Sequence, residues 1–441
     1  MTKRVTTKPA GTEAPIDRRR LLAGAAGTAL LVACGGQVEE DVDDVARVRL
    51  LNATTAYPAM DLLVGDTRRN TSIGSGAVGG YASLKDGSYA TAVTSAGSAS
   101  TLASTSRTLA EGKAYTVVAY GGQADVATVL LEENASAAAS GQAKLMVLNA
   151  APDAGSVDVY LTGAADSLDA ANPVATGVAG GSAVGYATVN AGTYRLRVTA
   201  AGDKSQLRFD ATGLVLASTQ VATLVVTSSA GSVLTQALLL PQQGSPVALA
   251  NTLARVRIVA SVAANGRVTA TLGGRALMTA GTSPTVGAYT TVAAGTPAFS
   301  LSVNEQPVSM QNVTLAAGTD STLLIWGSAA APQMAQLADD NRLPPSSSTQ
   351  ARLRLVQAVN GLAGGLTMTA DAVAIANDVL PGAASAYANV AGGSTQRVIV
   401  TSPLLGAPPY SSDSTLAARG VYTLFVFGDL PTPTATLRRE R

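Results

Sequence analysis

Two adjacent pairs of carboxylates are the side chains that come closest to a catalytic arrangement in this sequence. They are Glu132-Glu133 and Asp339-Asp340. Carboxylates on either side of a glycosidic bond can act as general acid and as nucleophile or base, so a carboxylate-based hydrolase would need such pairs. Both pairs fall in segments that we predict to be linkers, where acidic side chains mainly serve solvation. We therefore predict that they are not catalytic.

The composition excludes most other catalytic chemistry. The sequence has no histidine, so mechanisms that use an imidazole base are impossible within this chain, as are histidine-ligated zinc or copper sites. Its single cysteine rules out internal disulfides and thiolate cages. The 30 basic and 29 acidic residues give a net charge of +1, which provides no overall field to attract nucleic acid. We predict no catalytic residue, no cofactor, no metal site and no nucleic-acid partner.

Residues 1–33 have the organisation of a signal peptide. Residues 1–20 are polar and basic, and residues 21–33 carry no charge, which matches the n-region and the h-region of such a peptide. As a helix, this uncharged run would span only about 20 Å, less than the roughly 30 Å of a bilayer core. A transmembrane anchor is therefore disfavoured.

The only cysteine, Cys34, ends the uncharged run. The string LVAC at residues 31–34 resembles the lipobox of bacterial lipoproteins, in which the cysteine becomes the first mature residue and its sulfur carries a diacylglyceryl group. Leu31 and Ala33 match that pattern. The alternative is a buried apolar cysteine that happens to follow a hydrophobic run. The resemblance implies lipidation of Cys34 and attachment to the membrane through acyl chains, each buried methylene contributing about 0.8 kcal/mol.

The residues on either side of the lipobox indicate how the protein is exported and which membrane it reaches. Arg18 and Arg19, followed by Arg20 and two leucines, resemble a twin-arginine signal, and a general secretory signal with a basic n-region is the alternative. Gly35 follows the cysteine where an aspartate would suggest retention in the inner membrane. We expect a lipid-anchored protein of the cell envelope, more at the outer membrane than the inner, on the periplasmic or the exposed face. Residues 34–45 are predicted to be an acidic tether.

Behind the tether the sequence repeats four times. Each repeat opens with basic and aliphatic side chains in alternation, as in ARVRLLN from Ala46. This period of two is typical of a strand with one buried face, so we expect the basic face to be exposed to solvent. The other openings begin at Ala143, Ala254 and Ala351. We predict four β-sandwich domains, at residues 46–134, 143–243, 254–341 and 351–441.

A tyrosine lies six residues before a glycine near the middle of every repeat. The tyrosines are Tyr81, Tyr186, Tyr289 and Tyr387, and the glycines are Gly87, Gly192, Gly295 and Gly393. A strand, a tight turn and a return strand explain this spacing, so we predict a hairpin. A tyrosine at a fixed offset in each unit is expected in the core or at a corner rather than in a ligand site. We likewise expect Trp326 in the core.

Short strands at turn-punctuated intervals, without a helical period, predict an all-β fold of tandem immunoglobulin-like sandwiches. The string VLNAAPDAGSVDVYL, from Val147, resembles the opening signature of the bacterial domain of unknown function 4397. The nine-residue separation of Asn149 and Asp158 recurs between Asn52 and Asp61. The resemblance implies a β-sandwich and no assigned activity.

The aspartates of this signature have two interpretations. Asp153 and Asp158 could be metal ligands or a carboxylate pair, but a turn-capping and a strand-edge role would also account for them, and we favour the latter. Thr269 and Thr367 stand where the third and fourth repeats would need the second aspartate, which weakens a site shared by all four units.

These features favour an envelope-anchored, non-enzymatic lipoprotein whose sandwiches serve binding, adhesion or display. Its partners would be the membrane, through the lipid, and an unidentified protein or polysaccharide. A structural periplasmic spacer is the alternative, and a carboxylate-based hydrolase is the least favoured interpretation.

Overall fold

Residues 45–441 are described by a computed structural model. The predicted signal residues Arg18, Arg19, Leu31 and Ala33 and the lipidation site Cys34 lie outside that range, so those assignments stay predictions. In residues 45–441, no helix is long and apolar enough to cross a membrane.

The described chain forms 34 strands and one 3-10 turn at Pro152–Ala154. Several hairpins close through two residues that both have positive φ, which is the turn that matches the twist of paired strands. At one of them, Gly273 and Gly274 have φ of 56° and 78°. The strands form eight sheets, two in each of four consecutive stretches, and the prediction of an all-β fold of tandem sandwiches is confirmed.

The first two sandwiches occupy the amino-terminal half of the described chain. The first consists of β1 (Ala46–Asn52), β2 (Ala59–Val64), β3 (Thr67–Gly74), β4 (Ala82–Leu84), β5 (Gly87–Ser95), β6 (Thr101–Leu109), β7 (Ala114–Gly122) and β8 (Asp125–Glu132). The second consists of β9 (Gln142–Ala150), β10 (Val157–Thr162), β11 (Ala175–Val178), β12 (Ala183–Asn190), β13 (Gly192–Ala200), β14 (Asp203–Leu216), β15 (Val221–Ser228), β16 (Thr235–Pro241) and β17 (Val247–Leu249).

The other two sandwiches follow the same plan. The third consists of β18 (Leu253–Val262), β19 (Arg267–Leu272), β20 (Arg275–Thr282), β21 (Thr285–Val286), β22 (Thr290–Ala293), β23 (Phe299–Val303), β24 (Gln306–Val308), β25 (Asp320–Ser328) and β26 (Ala331–Asp339). The fourth consists of β27 (Gln350–Asn360), β28 (Leu366–Ala370), β29 (Val373–Val379), β30 (Ala388–Ala391), β31 (Ser394–Thr401), β32 (Tyr410–Leu416), β33 (Val421–Asp429) and β34 (Thr434–Arg439).

Every sandwich has the same sheet topology, shown by the first. Its inner sheet, the one that contains the first strand, has the order β4-β1-β7-β8, and its outer sheet has the order β3-β2-β5-β6. The first strand pairs in parallel with β7, and the corresponding pairs β9–β15, β18–β25 and β27–β33 are also parallel. The other strand pairs of the described chain are antiparallel.

The predicted hairpin around the tyrosine and glycine is wrong. In the first sandwich, β4 pairs with β1 of the inner sheet, whereas β5 pairs with β2 and β6 of the outer sheet. The glycine therefore lies where the chain crosses from one sheet to the other, and the other three sandwiches repeat this crossing. A local turn signal shows that the chain changes direction, but it does not specify which strands then form hydrogen bonds.

The opening strands have two buried faces rather than one. In β1, Val48 and Leu50 contribute to the core between the two sheets of the sandwich, and the alternate Arg49 is only 4% exposed. Arg257 and Arg354 occupy the same place in the third and fourth sandwiches and are 1% and 2% exposed. The expectation of a solvent-exposed basic face is thus wrong, because a second sandwich covers that face.

The inner sheets pack against each other in pairs. One hydrophobic cluster joins the inner sheets of the first and second sandwiches and includes Leu51, Val118 and Leu148. A second cluster joins the third and fourth sandwiches around Phe425, and the half-buried Trp326 packs against it rather than in a sandwich core. Two face-to-face pairs, the first with the second and the third with the fourth, result from these contacts.

The Phe425→Ala substitution tests the packing of the second pair. Phe425 is 1% exposed, so its truncation should leave a cavity and lower the free energy of unfolding by about 3–5 kcal/mol. Trp326, the only tryptophan, packs in the same cluster, and its fluorescence can follow urea unfolding of the full chain. The control Val373→Ala, at a residue that is 65% exposed, should change stability by less than about 0.5 kcal/mol. Equal effects of both substitutions would contradict the pairing.

Candidate functional site

The buried arginines make the same contact in three of the four sandwiches. Each donates from Nε to the Oγ1 of a threonine directly opposite on the parallel strand, and the guanidinium lies over the ring of the landmark tyrosine. For Arg257, the bond to Thr322 is 2.8 Å long and the ring of Tyr289 is 4.4 Å away. The other sets are Arg49, Thr116 and Tyr81, and Arg354, Thr423 and Tyr387.

The tyrosines therefore do not lie in the sandwich cores. They stand between paired sandwiches, where the ring attracts the cation. The hydroxyls of Tyr81 and Tyr289 reach an acid, whereas that of Tyr387 donates to Oδ1 of Asn341 at 3.5 Å. Tyr289 donates to Oδ2 of Asp339 at 2.6 Å, and Tyr81 donates to Glu133. Burial, together with the neighbouring carboxylate, raises the pKa of Tyr289 well above its ordinary value. The hydroxyl consequently stays protonated and remains a donor.

The acids that neutralise the arginines come from one equivalent position, directly after or at the end of the last strand of a sandwich. Asp339 lies opposite Asp320, two residues before Thr322, and Glu133 and Glu440 lie in the same relation to Thr116 and Thr423. Glu133 and Asp339 are each 4% exposed. The interpretation of these two residues as solvated linker acids is therefore wrong. The sequence does not reveal which arginine faces each of these acids.

In the third and fourth sandwiches the acids are exchanged. Arg257 of the third sandwich binds Glu440 of the fourth through two bonds of 2.7 and 2.8 Å. Arg354 of the fourth sandwich binds Asp339 of the third. Each sandwich therefore supplies the cation for its partner's anion, and the bidentate, charge-assisted bonds of Arg257 to Glu440 fix orientation as well as charge.

The second sandwich has neither the arginine nor the acid. Met146 stands opposite Thr223 where the other sandwiches have an arginine, and Gln242 stands where they have an acid. In the first pair, Arg49 is accordingly neutralised by Glu133 of its own sandwich, at 2.9 Å. Both paired interfaces thus contain equal numbers of these buried cations and anions, as desolvated charges require.

The aspartates of the family signature, and the threonines that stand in their place, accept hydrogen bonds from backbone N–H groups. Asp158 accepts hydrogen bonds from two backbone N–H groups, at 2.7 and 2.8 Å, and Asp61 does the same in the first sandwich. Thr269 and Thr367 each accept one N–H in its place. One donor in each sandwich has a φ between 46° and 58°, and these donors are Ser72, Gly177, Ala280 and Asp378. The side chain therefore stabilises a left-handed residue beside the strand, in accordance with the strand-edge interpretation.

The asparagine of the signature also binds backbone groups. Asn149 donates from Nδ2 to the carbonyls of Gly155 and Val178, both at 2.9 Å, and accepts the N–H of Ala151. Asp153 lies in the adjacent 3-10 turn, but in the described chain its side chain forms no capping hydrogen bond, so the turn-capping interpretation is wrong for this residue. Burial raises the pKa of the Asp153 carboxyl.

Within residues 45–441, no group of three or more cysteine, histidine or acidic side chains could hold a metal ion. What the described chain does contain is a cleft of about 720 Å³ between the second, third and fourth sandwiches. Its basic side chains come from four strands, and the one acidic side chain in its lining lies near the carboxyl-terminal end of the described chain. They are Lys204, Arg208, Arg255, Arg257, Arg275, Arg438 and Arg439, with the single acid Glu440.

Most of these cations have no carboxylate partner. In the described chain, only Arg255 and Arg257 lie within 4.0 Å of a side-chain carboxylate, from Asp320 and Glu440 respectively. Arg439 donates from Nε to the oxygen of the last residue, Arg441, at 2.9 Å. Arg208 is one of the cations without a carboxylate partner. Its Nε is buried and has no hydrogen-bond partner among the described residues, and desolvation, together with the neighbouring Arg255, lowers the pKa of its guanidinium to about 10. No sequence pattern indicates this cleft, because its residues are far apart in the chain.

The Asp339→Asn substitution tests the exchanged ion pairs. Removing this charge leaves two buried arginines with one acid, which should lower the free energy of unfolding at neutral pH by about 3–5 kcal/mol. Asp413→Asn, which breaks an exposed pair with Arg397, should lower it by less than about 1 kcal/mol. Denaturant unfolding of the full chain measures both, and a loss for Asp339→Asn no larger than that of the control would contradict the role of the buried pair.

The same pair should make stability depend on pH. Burial opposes ionisation of Asp339, but Arg354 and Arg257 outweigh it and hold the pKa of this carboxyl below its ordinary value. Because the folded pKa is the lower one, the stabilisation is present above the unfolded pKa of about 4 and is lost as the pH falls toward the folded pKa. Unfolding curves below pH 4 should show a smaller loss of stability on acidification for Asp339→Asn than for the wild type.

Comparisons with known proteins identify the family and leave the activity open. No curated protein matches the chain. Among solved structures, the Bacillus anthracis TIE protein matches 88% of this chain and 68% of its own, with 9% identity and a TM-score of 0.14. The family described as a domain of unknown function, DUF4397, matches residues 46–160 and 254–363, just over half of the sequence. With these two matched regions in its array of β-sandwiches, the chain belongs to the DUF4397 family.

Proposed function

We propose that the protein is an envelope-anchored, non-enzymatic lipoprotein that uses its paired sandwiches to bind a ligand outside the cytoplasm. The observation that carries the binding role is the cleft of about 720 Å³, which falls within the roughly 300–1,000 Å³ typical of ligand pockets. The anchor rests on Cys34 and the lipobox-like residues Leu31 and Ala33. A lipid anchor on a tether would hold this cleft near the envelope, where a protein or a polysaccharide is the expected partner.

The contacts of the carboxylates support the non-enzymatic part of this proposal. Glu133 accepts from Arg49, Thr116 and Tyr81, and Asp339 is bound in the corresponding way. A general acid or base needs a carboxyl that can exchange protons with a substrate. Carboxylates buried in ion pairs between two sandwiches are poorly suited to that role.

A structural spacer is the second candidate, and the exchanged ion pairs favour it. Arg257 with Glu440 and Arg354 with Asp339 join two sandwiches into a pair through buried contacts, as a stiff strut would require. The two candidates differ in the cleft. A spacer has no need of unpaired cations that point into a cavity, whereas a binding protein does.

The Cys34→Ala substitution tests the anchor. The wild-type protein should have lost residues 1–33, should carry acyl chains on residue 34 and should fractionate with membranes, because the acyl chains together stabilise insertion strongly. The variant should appear in the soluble fraction. Intact mass and membrane fractionation measure both properties. If the two proteins fractionate alike and residues 1–33 persist, the anchor is refuted. The matched control Ser346→Ala, at a residue far from the signal, should leave membrane association unchanged.

A further inference from the structure

We propose that the cleft binds a small, multiply charged anion, one that bears two or more phosphate or carboxylate groups. This inference rests on the proposed binding role and adds a small ligand, held in the cleft, to the protein or polysaccharide partner expected for the sandwiches. It rests on the charge of the cleft lining, where seven basic side chains face one acid.

The cleft lacks the charge balance found in the interfaces between paired sandwiches. In those interfaces the arginine and the acid occur together, and the second sandwich lacks both. In the cleft, five of seven cations have no side-chain carboxylate within 4.0 Å in the described chain. Charges of one sign that converge on a concave surface focus a field and attract ions of the opposite sign.

Neutral groups orient several of these cations without neutralising them. Lys204 donates to the carbonyls of Asp169 and Ala171, at 2.7 and 2.8 Å. Arg275 donates to the carbonyl of Thr291 at 2.7 Å. A carbonyl acceptor holds the side chain in place and leaves its positive charge available. This arrangement pre-organises the cleft, which reduces the entropy lost when an anion binds.

Arg208 is a cation that the cleft leaves without a direct partner. Its Nε is buried without a hydrogen-bond partner among the described residues, and burial together with the charges of Arg255 and Arg441 outweighs the attraction of Asp320 and Asp203 and lowers the pKa of its guanidinium. An unpaired cation in such a place destabilises the empty protein. An anion in the cleft would supply the missing acceptor, and charge-assisted bonds to an arginine are among the stronger hydrogen bonds in proteins.

The cleft also has the reach for more than one anionic group. Lys204 and Arg208 belong to β14 of the second sandwich, Arg275 to β20 of the third, and Arg438 to β34 of the fourth. An ion with a single charge could contact only part of this set. A ligand with several groups can bridge three sandwiches, and it should then stabilise their association, because it binds only the folded arrangement.

Calorimetric titration of the full-length chain in detergent, at low ionic strength, tests the proposal with pyrophosphate, citrate and inorganic phosphate as probes. We expect pyrophosphate or citrate to bind more tightly than inorganic phosphate and to raise the melting temperature. Arg208→Met should weaken binding by about tenfold or more. Arg69→Met removes an equal charge from an exposed site in β3 and should leave the affinity unchanged.

The melting temperature without anion separates binding from folding. Arg208→Met should be at least as stable as the wild type, because it removes an unpaired and partly desolvated charge. If that variant fails to fold, Arg438→Gln, at an exposed residue of β34, should weaken binding in its place. The proposal is overturned if no probe binds, or if Arg69→Met weakens binding as much as the cleft variants do. Such a result leaves the anchor test on Cys34 unaffected, so the two failures are distinguishable.

Discussion

In the interfaces between paired sandwiches, the arginine of an opening strand is buried together with an acid, and the arrangement of the sandwiches follows from this pairing. An isolated guanidinium inside an interface loses its hydration without compensation, so a sheet that presents Arg49, Arg257 or Arg354 cannot be covered by an apolar surface alone. The chain supplies the acid from the end of a last strand, where it reaches the same interface. Because Glu440 serves Arg257 and Asp339 serves Arg354, the third and fourth sandwiches can satisfy their charges only together.

The same constraint explains why the second sandwich differs from the others. It presents Met146 and Gln242, and its partner carries both members of the ion pair, Arg49 and Glu133. The first interface is thus neutral without an exchange between sandwiches. Hydrophobic contacts around Leu51 and Phe425 bury apolar surface in the two interfaces, while the ion pairs determine which faces can meet. The cleft differs because, among the described residues, five of its seven cations have no side-chain carboxylate within 4.0 Å.

The sequence predicts the sandwiches better than their contacts, for a physical reason. Alternation along β1 shows that Val48 and Arg49 face opposite sides, and this is correct, but alternation cannot show whether the second side meets water or another protein surface. The solvated roles assigned to Glu133 and Asp339 failed for the same reason, since their partners lie on other strands. The strand-edge role of Asp158 could be predicted because a carboxylate beside a strand readily accepts backbone N–H groups, whichever segment supplies them. The cleft could not, since it combines strands from three sandwiches.

The signature residues that recur in the repeats stabilise the fold. Residues found in single repeats help to form the cleft. Asn149 and Asp158, which carry the family signature, bind backbone groups and stabilise the sandwich, so membership of the family specifies a fold and no ligand. The cleft combines repeated residues, such as Arg257 and Tyr289, with residues specific to single sandwiches, such as Arg208 in β14 and Arg275 in β20. Repetition alone would give four equivalent surfaces. An asymmetric cleft of this kind arises where unlike sandwiches meet, and ligand specificity should therefore be sought in the residues that break the repeat.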